Sequence, residues 1–145
     1  MTTAMADPGE KSLSKLLATL TTTLHPDVYV FATIANNSTA PLPPLSETQM
    51  LFKETEGTTV IVRQAYAEAN GMEYCFPCEM LTCEVTSSLD AVGFMAVIAT
   101  RLAERAKMGV NPVSGFYHDH LFVPEGRGKE TQLLLKELAD DHSKE

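Results

Sequence analysis

The order of helical and strand patterns along the chain predicts an α+β fold, with helices laid on one face of antiparallel sheet. Three observations carry this expectation. Apolar residues recur at helical spacing over residues 12–24, 89–107 and 128–141. The runs between them are β-branched and aromatic, and too short for helices. The connections are tight turns or proline-rich loops, and single helices alternate with hairpins, which favours antiparallel pairing.

The chain has 145 residues, a length that suits one domain or two very small ones sharing a core. A chain of this size buries roughly 68–70% of the surface its unfolded form exposes, so it needs neither disulfides nor metal to fold. Lys and Arg number 11 against 19 Asp and Glu, a net charge of −8, and the pI is about 4.9. That balance argues against a nucleic-acid partner, whose phosphates require a cationic surface. It also argues against the anionic leaflet of a membrane. An apolar share of 44% excludes wholesale disorder. No apolar run reaches the ~18 residues of a transmembrane helix. The first residues lack the basic flank and apolar stretch of a signal peptide, so a cytoplasmic location is expected. The odd set Cys75, Cys78 and Cys83 fits reduced thiols better than a disulfide framework.

Residues 1–10 are polar, broken by Pro8-Gly9, and read as a disordered tail. Leu13, Leu16, Leu17, Leu20 and Leu24 then mark a helix, with Ser12 as N-cap and His25-Pro26 as the stop. Residues 27–35 are β-branched and aromatic and form a strand. Residues 36–47, with Pro41, Pro43 and Pro44, make a stiff loop. Residues 50–54 and 58–63 flank Thr55-Glu56-Gly57 as a hairpin, and 64–70 form a short helix closed by Asn70-Gly71. Residues 73–76 and 79–86 read as strands interrupted by Pro77, which lacks a ladder donor.

The strongest helical pattern covers residues 89–107, where Ala91, Met95, Ile98 and Leu102 form one stripe. Ser87-Ser88-Leu89-Asp90 supplies its cap and a first-turn acid. Residues 110–117 and 120–124 read as two strands about a tight turn. The last helix, residues 128–141, turns Leu134, Leu135, Leu138 and Ala139 inward. The second half thus runs β-α-β-β-α, one strand short of a ferredoxin-like βαββαβ unit. The first half ends β-β-α-β, the close of such a unit without its opening. Two ferredoxin-like units are therefore expected, residues 11–77 and 78–145, with antiparallel sheets that complete each other.

The residues Asp90-Ala91-Val92-Gly93-Phe94-Met95, with Leu102-Ala103-Glu104 and Gly109-Val110-Asn111, resemble the ACT domain. That family places an Asp, two residues, a Gly and an aliphatic at its first strand-to-helix turn, and a Gly-Ile-Asn-like step before its second strand. Ser87–Gly93 and Ser114–Pro124 are similar to small tandem-ACT proteins related to the ACT domains of cytosolic arginine sensors. The Leu-rich first helix, Tyr29-Val30-Phe31-Ala32-Thr33 and Gly57–Val62 are similar to the first half of that subfamily. The resemblance spans most of residues 12–140 and is strongest over 86–124. Residues 105–112 depart from it by about one extra residue and by Pro112, which leaves the register of the following strand open.

The resemblance implies a regulatory sensor that binds an amino acid or similar small ligand at the interface between ACT units, with a homodimer as a further expectation. The implied site is Ser88, Leu89, Asp90, Val92, Gly93 and Phe94 at the turn, with Asn111, Ser114, His118 and Asp119 facing it. Physical chemistry supports a site there independently. Gly93 permits close approach, and a helical first turn offers free N–H groups and a positive dipole end to a carboxylate. The resemblance further implies that Asp119 holds the ligand's ammonium. Helix–sheet packing is the plainer reading of Gly93, and a helix-start acid the plainer reading of Asp90.

Tyr117-His118-Asp119-His120 admits another class of function. Along a strand the two histidines share a face and could act as acid and base or chelate a metal, which makes a small enzyme the alternative. Turn chemistry and inter-strand hydrogen bonds are the competing reading. Cys75-Phe76-Pro77-Cys78 has CxxC spacing but no second ligand pair, so buried thiols are expected. No cofactor or metal is expected.

Overall fold

The longest strand grows out of three consecutive threonines, Thr21, Thr22 and Thr23. Their branched Cβ atoms disfavour helix and suit a pleated surface. In the computed structural model, which describes residues 3–144, the first helix α1 accordingly covers only Leu13–Ala18, and strand β1 runs Thr22–Ala35. The helix expected to reach Leu24 therefore stops at Ala18, and Leu24 joins the core from a strand. Pro26 ends nothing. The register of β1 against its neighbour shifts between Leu24 and Val28, and this irregularity accommodates the residue that lacks an N–H.

Strands β2 (Thr48–Lys53) and β3 (Gly57–Arg63) form the expected hairpin. Helix α2 (Gln64–Ala69) follows and closes on Asn70, with Gly71 at φ 63°. Strand β4 is continuous over Cys75–Cys83, not two strands. Phe76 adopts φ 57°, uncommon for a non-glycine, and the register shifts between the pairs Tyr29–Cys78 and Phe31–Cys75, which lets Pro77 lie within the strand. Helix α3 is Phe94–Arg105, so it starts five residues after the expected Leu89. Strand β5 (Asn111–Ser114) is shorter than expected, β6 is Asp119–Pro124, and α4 extends over Gly128–Ser143.

The six strands form one antiparallel sheet in the order β2-β3-β1-β4-β6-β5. Pro112 sits in β5, at the edge of the sheet, where a missing donor is tolerated. Opposed residues of an antiparallel pair share a face, and this sorts the core. Leu24, Leu81, Cys83, Leu121 and Val123 meet α1, α3 and α4, through Leu16, Leu17, Ile98, Leu102, Leu135 and Leu138. Val30, Ala32, Val60 and Val62 lie on the same face under Ala67 of α2. The fold is thus α+β with its helices on one side. The other side carries Tyr29, Phe31, Ile61, Cys78, Met80 and Phe122, with Tyr29 and Phe31 edge-on to Phe122 at 6.0 and 5.9 Å. No helix among the described residues is long and apolar enough to cross a membrane.

Ile98 is fully buried at the centre of the larger cluster, whereas Leu133 on α4 is 64% exposed. Ile98→Ala is expected to lower unfolding free energy by about 2–5 kcal/mol. Leu133→Ala should stay within about 0.5 kcal/mol. Urea denaturation followed by far-UV circular dichroism measures both.

Candidate functional site

Strand β4 ends beside the start of β6, because Thr82 pairs with His120 in antiparallel register. The chain leaving β4, residues 84–93, therefore runs past the β5–β6 turn before α3 begins. Three sets of hydrogen bonds tie it down. The Glu84 N–H donates to the Thr21 carbonyl at 2.7 Å. From the hairpin, His118 Nδ1 lies 3.1 Å from the Val85 carbonyl, which can only accept, so Nδ1 is the protonated nitrogen. Asp119, 7% exposed, receives the Ser87 hydroxyl on one oxygen at 2.8 Å and the Ser114 hydroxyl on the other at 2.6 Å.

The third set comes from residues 7–10, the segment that reads as a tail. The Ser88 hydroxyl donates to Asp7 Oδ2 at 2.6 Å, the Leu89 N–H donates to the same oxygen at 3.0 Å, and the Gly9 N–H to Oδ1 at 2.8 Å. Glu10 makes a parallel bridge with Ser87: its N–H donates to the Thr86 carbonyl at 2.7 Å, and its carbonyl receives the Ser88 N–H at 2.9 Å. The Ser88 hydroxyl, followed by the Gly9 N–H, holds the Asp7 carboxyl below its ordinary range.

The late start of α3 follows from the same serine. Ser88 Oγ accepts the Asp90 N–H at 3.1 Å and the Ser88 carbonyl accepts the Ala91 N–H at 2.9 Å, so residues 88–91 close a turn rather than a helix. Gly93 at φ 92° then redirects the chain into α3. Asp90 is consequently not a first-turn acid, and Ser87 to Asp90 do not cap the helix: the N-cap is Gly93, without a side-chain bond. A Cβ at Gly93 would meet Leu13 Cδ2 at 3.4 Å, so α1 packs close to this turn.

The structure brings Ser88, Leu89, Ser114, His118 and Asp119 together around one loop. Phe94 is buried in the core, while Leu89 and Val92 are exposed by 61% and 84%. Asn111 pairs with Phe122, three residues along β5 from Ser114 and so about 10 Å away. Asp119 already has a donor on each oxygen and braces the loop to β5. Asp7, Gly9 and His25 were missed. The first two sit in a segment with no periodic signal, and His25 reads as a helix stop. Only the Asp-Pro-Gly turn composition could have drawn attention to residues 7–9.

On the helix-free side of the sheet, Thr82 Oγ1 lies 2.7 Å from His25 Nε2 and 2.9 Å from His120 Nδ1. A hydroxyl has one proton, so it donates to one ring and accepts from the other. Burial, then the neighbouring His118 and His25, push His120 below the ordinary histidine pKa. Among the described residues, no three His, Cys, Asp or Glu side chains gather as a metal site. Cys78 and Cys83 are buried and pushed up to about 12 by desolvation, opposite to what a redox thiolate requires, while Cys75 is exposed. The expectation of buried thiols thus holds for two of the three.

Asp119→Ala leaves the Ser87 and Ser114 hydroxyls without their charged acceptor, and should destabilise the fold by about 1.5–3 kcal/mol in urea titrations. His120 supplies a pH signature. The unfolded chain binds this proton at an ordinary pKa near 6.5, the folded chain only at lower pH. Between those values the unfolded state holds more protons, so stability falls as pH drops below about 6.5. His120→Asn should flatten that part of the profile; an unchanged slope would remove His120 as its source.

Residues 8–79 match the ACT domain family. No curated protein matches the sequence. A solved structure of a Vibrio cholerae protein of unknown function, described as a possible transport protein, is 33% identical; the match covers 89% of this chain and 97% of that one, with a TM-score of 0.74. A protein from Agrobacterium tumefaciens shares the fold at 14% identity, over 83% of this chain and 89% of that one, with a TM-score of 0.66. The ACT match takes in Gly9, Glu10 and β1 through most of β4, whereas the residues of strongest resemblance, 86–124, lie outside it. The chain carries an ACT domain over residues 8–79 and belongs to the same family as the Vibrio cholerae protein.

Proposed function

We propose that this protein is a regulatory sensor that binds an amino acid, or a similar small carboxylate, at the loop between β4 and α3. ACT domains commonly bind small ligands in regulation. The observation that carries the reading is that this loop already holds a carboxylate, through the Ser88 hydroxyl and the Leu89 N–H. A chain of net charge −8 gains a carboxylate site most readily from such neutral donors. Ser88, Leu89 and Gly93 line the turn, and Asp119 and His118 hold it in place.

Strand order supports the two-unit arrangement that goes with this reading. Counted from β1, the strands β1, β2, β3 and β4 lie in the order fourth, first, third, second. Counted from β4, the strands β4, β5 and β6 repeat that order if β1 fills the fourth place. Two units divided near residue 77 thus complete each other by sharing β1 and β4, and the loop sits at their seam. A homodimer through the sheet and a cytoplasmic setting, which suits three free cysteines, belong to the same proposal.

A thermal-shift screen of the full chain across the twenty amino acids, arginine among them, and common metabolites tests this. A ligand at ~100 times its Kd adds about 2.7 kcal/mol. At about 2–4 °C per kcal/mol for a chain near this size, the midpoint should rise by roughly 5–10 °C. Ser88→Ala should weaken binding by about tenfold or more. A flat screen for both the wild-type chain and Asp7→Asn sinks the reading.

A further inference from the structure

We propose that residues 3–10 form a displaceable internal ligand, whose Asp7 carboxylate holds the place that an incoming carboxylate takes, so that ligand binding and the seated strap exclude each other. The inference rests on the loop between β4 and α3 being the ligand site.

Four observations carry it. The donors on Asp7 Oδ2, one hydroxyl and one backbone N–H, are neutral and fixed in the loop, and they suit any carboxylate equally. The strap is fastened only by polar contacts. Residues 3–8 are exposed, Met5 by 76%, so no apolar side chain of theirs anchors the segment in the core. A segment held by hydrogen bonds that water can replace opens at low free energy. Yet its seat is shaped: a Cβ at Gly9 would lie 2.2 Å from Ser88 N and 2.5 Å from the Ser87 carbonyl carbon, backbone atoms that cannot yield. Only glycine lets the strap approach closely enough for Asp7 to reach the loop. Finally, Pro8, Gly9 and Glu10 wall a cleft of about 520 Å3 against Leu16, Val85 and Thr86, so opening the strap widens the space beside the loop for the body of a ligand.

The competition has a predicted size. If the strap is shut for about 90–99% of the time, apparent ligand affinity is roughly 10- to 100-fold below that of the open loop. Asp7→Asn removes the competing charge, and Gly9→Val unseats the strap without altering the loop or the core.

The test uses a fluorescent peptide of residues 4–11, capped at both ends, added to the full-length chains and followed by anisotropy. The peptide should bind Asp7→Asn and Gly9→Val at least tenfold more tightly than wild type, whose own strap competes. A peptide carrying Asn in place of Asp should not bind. Equal binding to all three chains, or binding to none, overturns the proposal. The twenty amino acids are then added as competitors to the Gly9→Val complex. Displacement by one of them supports both the strap and the amino-acid site. Peptide binding with the expected variant pattern but no displacement supports the strap and sinks the amino-acid reading.

Discussion

The pairing of β1 with β4 is the constraint on which the rest of the molecule depends. These two strands occupy the middle of the sheet, and every other strand is placed by pairing outward from one of them. Both bury residues on both faces: Val30 and Tyr29 in β1, Leu81 and Met80 in β4. A strand buried on two sides cannot slip by one residue without exchanging its whole apolar set. The register is therefore rigid despite the irregularities at Pro26 and Phe76.

That rigidity positions the loop. β4 runs antiparallel to β6, so the end of β4 meets the beginning of β6, and the serines after β4 come within hydrogen-bond reach of Asp119. The chain between β4 and α3 thus spans two fixed points: Cys83, buried beneath the helices, and Phe94, buried at the start of α3. Its conformation is held by Asp119 and His118 and by the turn that Ser88 closes, and the N-terminal segment docks onto it. An acidic protein holds two carboxylates here, Asp7 and Asp119, with hydroxyls and N–H groups as the donors. Among the described residues the ion pairs lie elsewhere, as in Arg101 with Asp141 or Arg127 with Glu130.

Much of the fold was legible where a local pattern and its burial agree. The hairpin around Glu56, the short helix closed by Asn70-Gly71 and the amphipathic stripes of α3 and α4 are all signalled by nearby residues. Boundaries failed where two local signals competed. Leucine spacing carried the first helix too far, against Thr22 and Thr23, which pair with β4 in a strand. Ser87 to Asp90 read as a helix cap, whereas the Ser88 hydroxyl and carbonyl take the Asp90 and Ala91 N–H groups and close a turn instead. Of the residues expected at the site, Ser88, Leu89, Ser114, His118 and Asp119 lie around one loop. Asn111 was not separable from them, since a strand pattern does not say how far along a ladder each residue falls.

By itself the sequence determined the classes of element, the single helical side of the sheet and the net acidic charge, because periodicity and charge are properties of composition and spacing. Tertiary structure alone decided which groups saturate which. Asp119 became a brace with both oxygens engaged, His25 met His120 through Thr82, and a polar N-terminal segment brought a carboxylate acceptor to a loop 81 residues away, from Asp7 to Ser88. Hydrogen bonds of that range depend on two backbones brought together by the sheet. Nothing in the local pattern of either segment encodes the other's position.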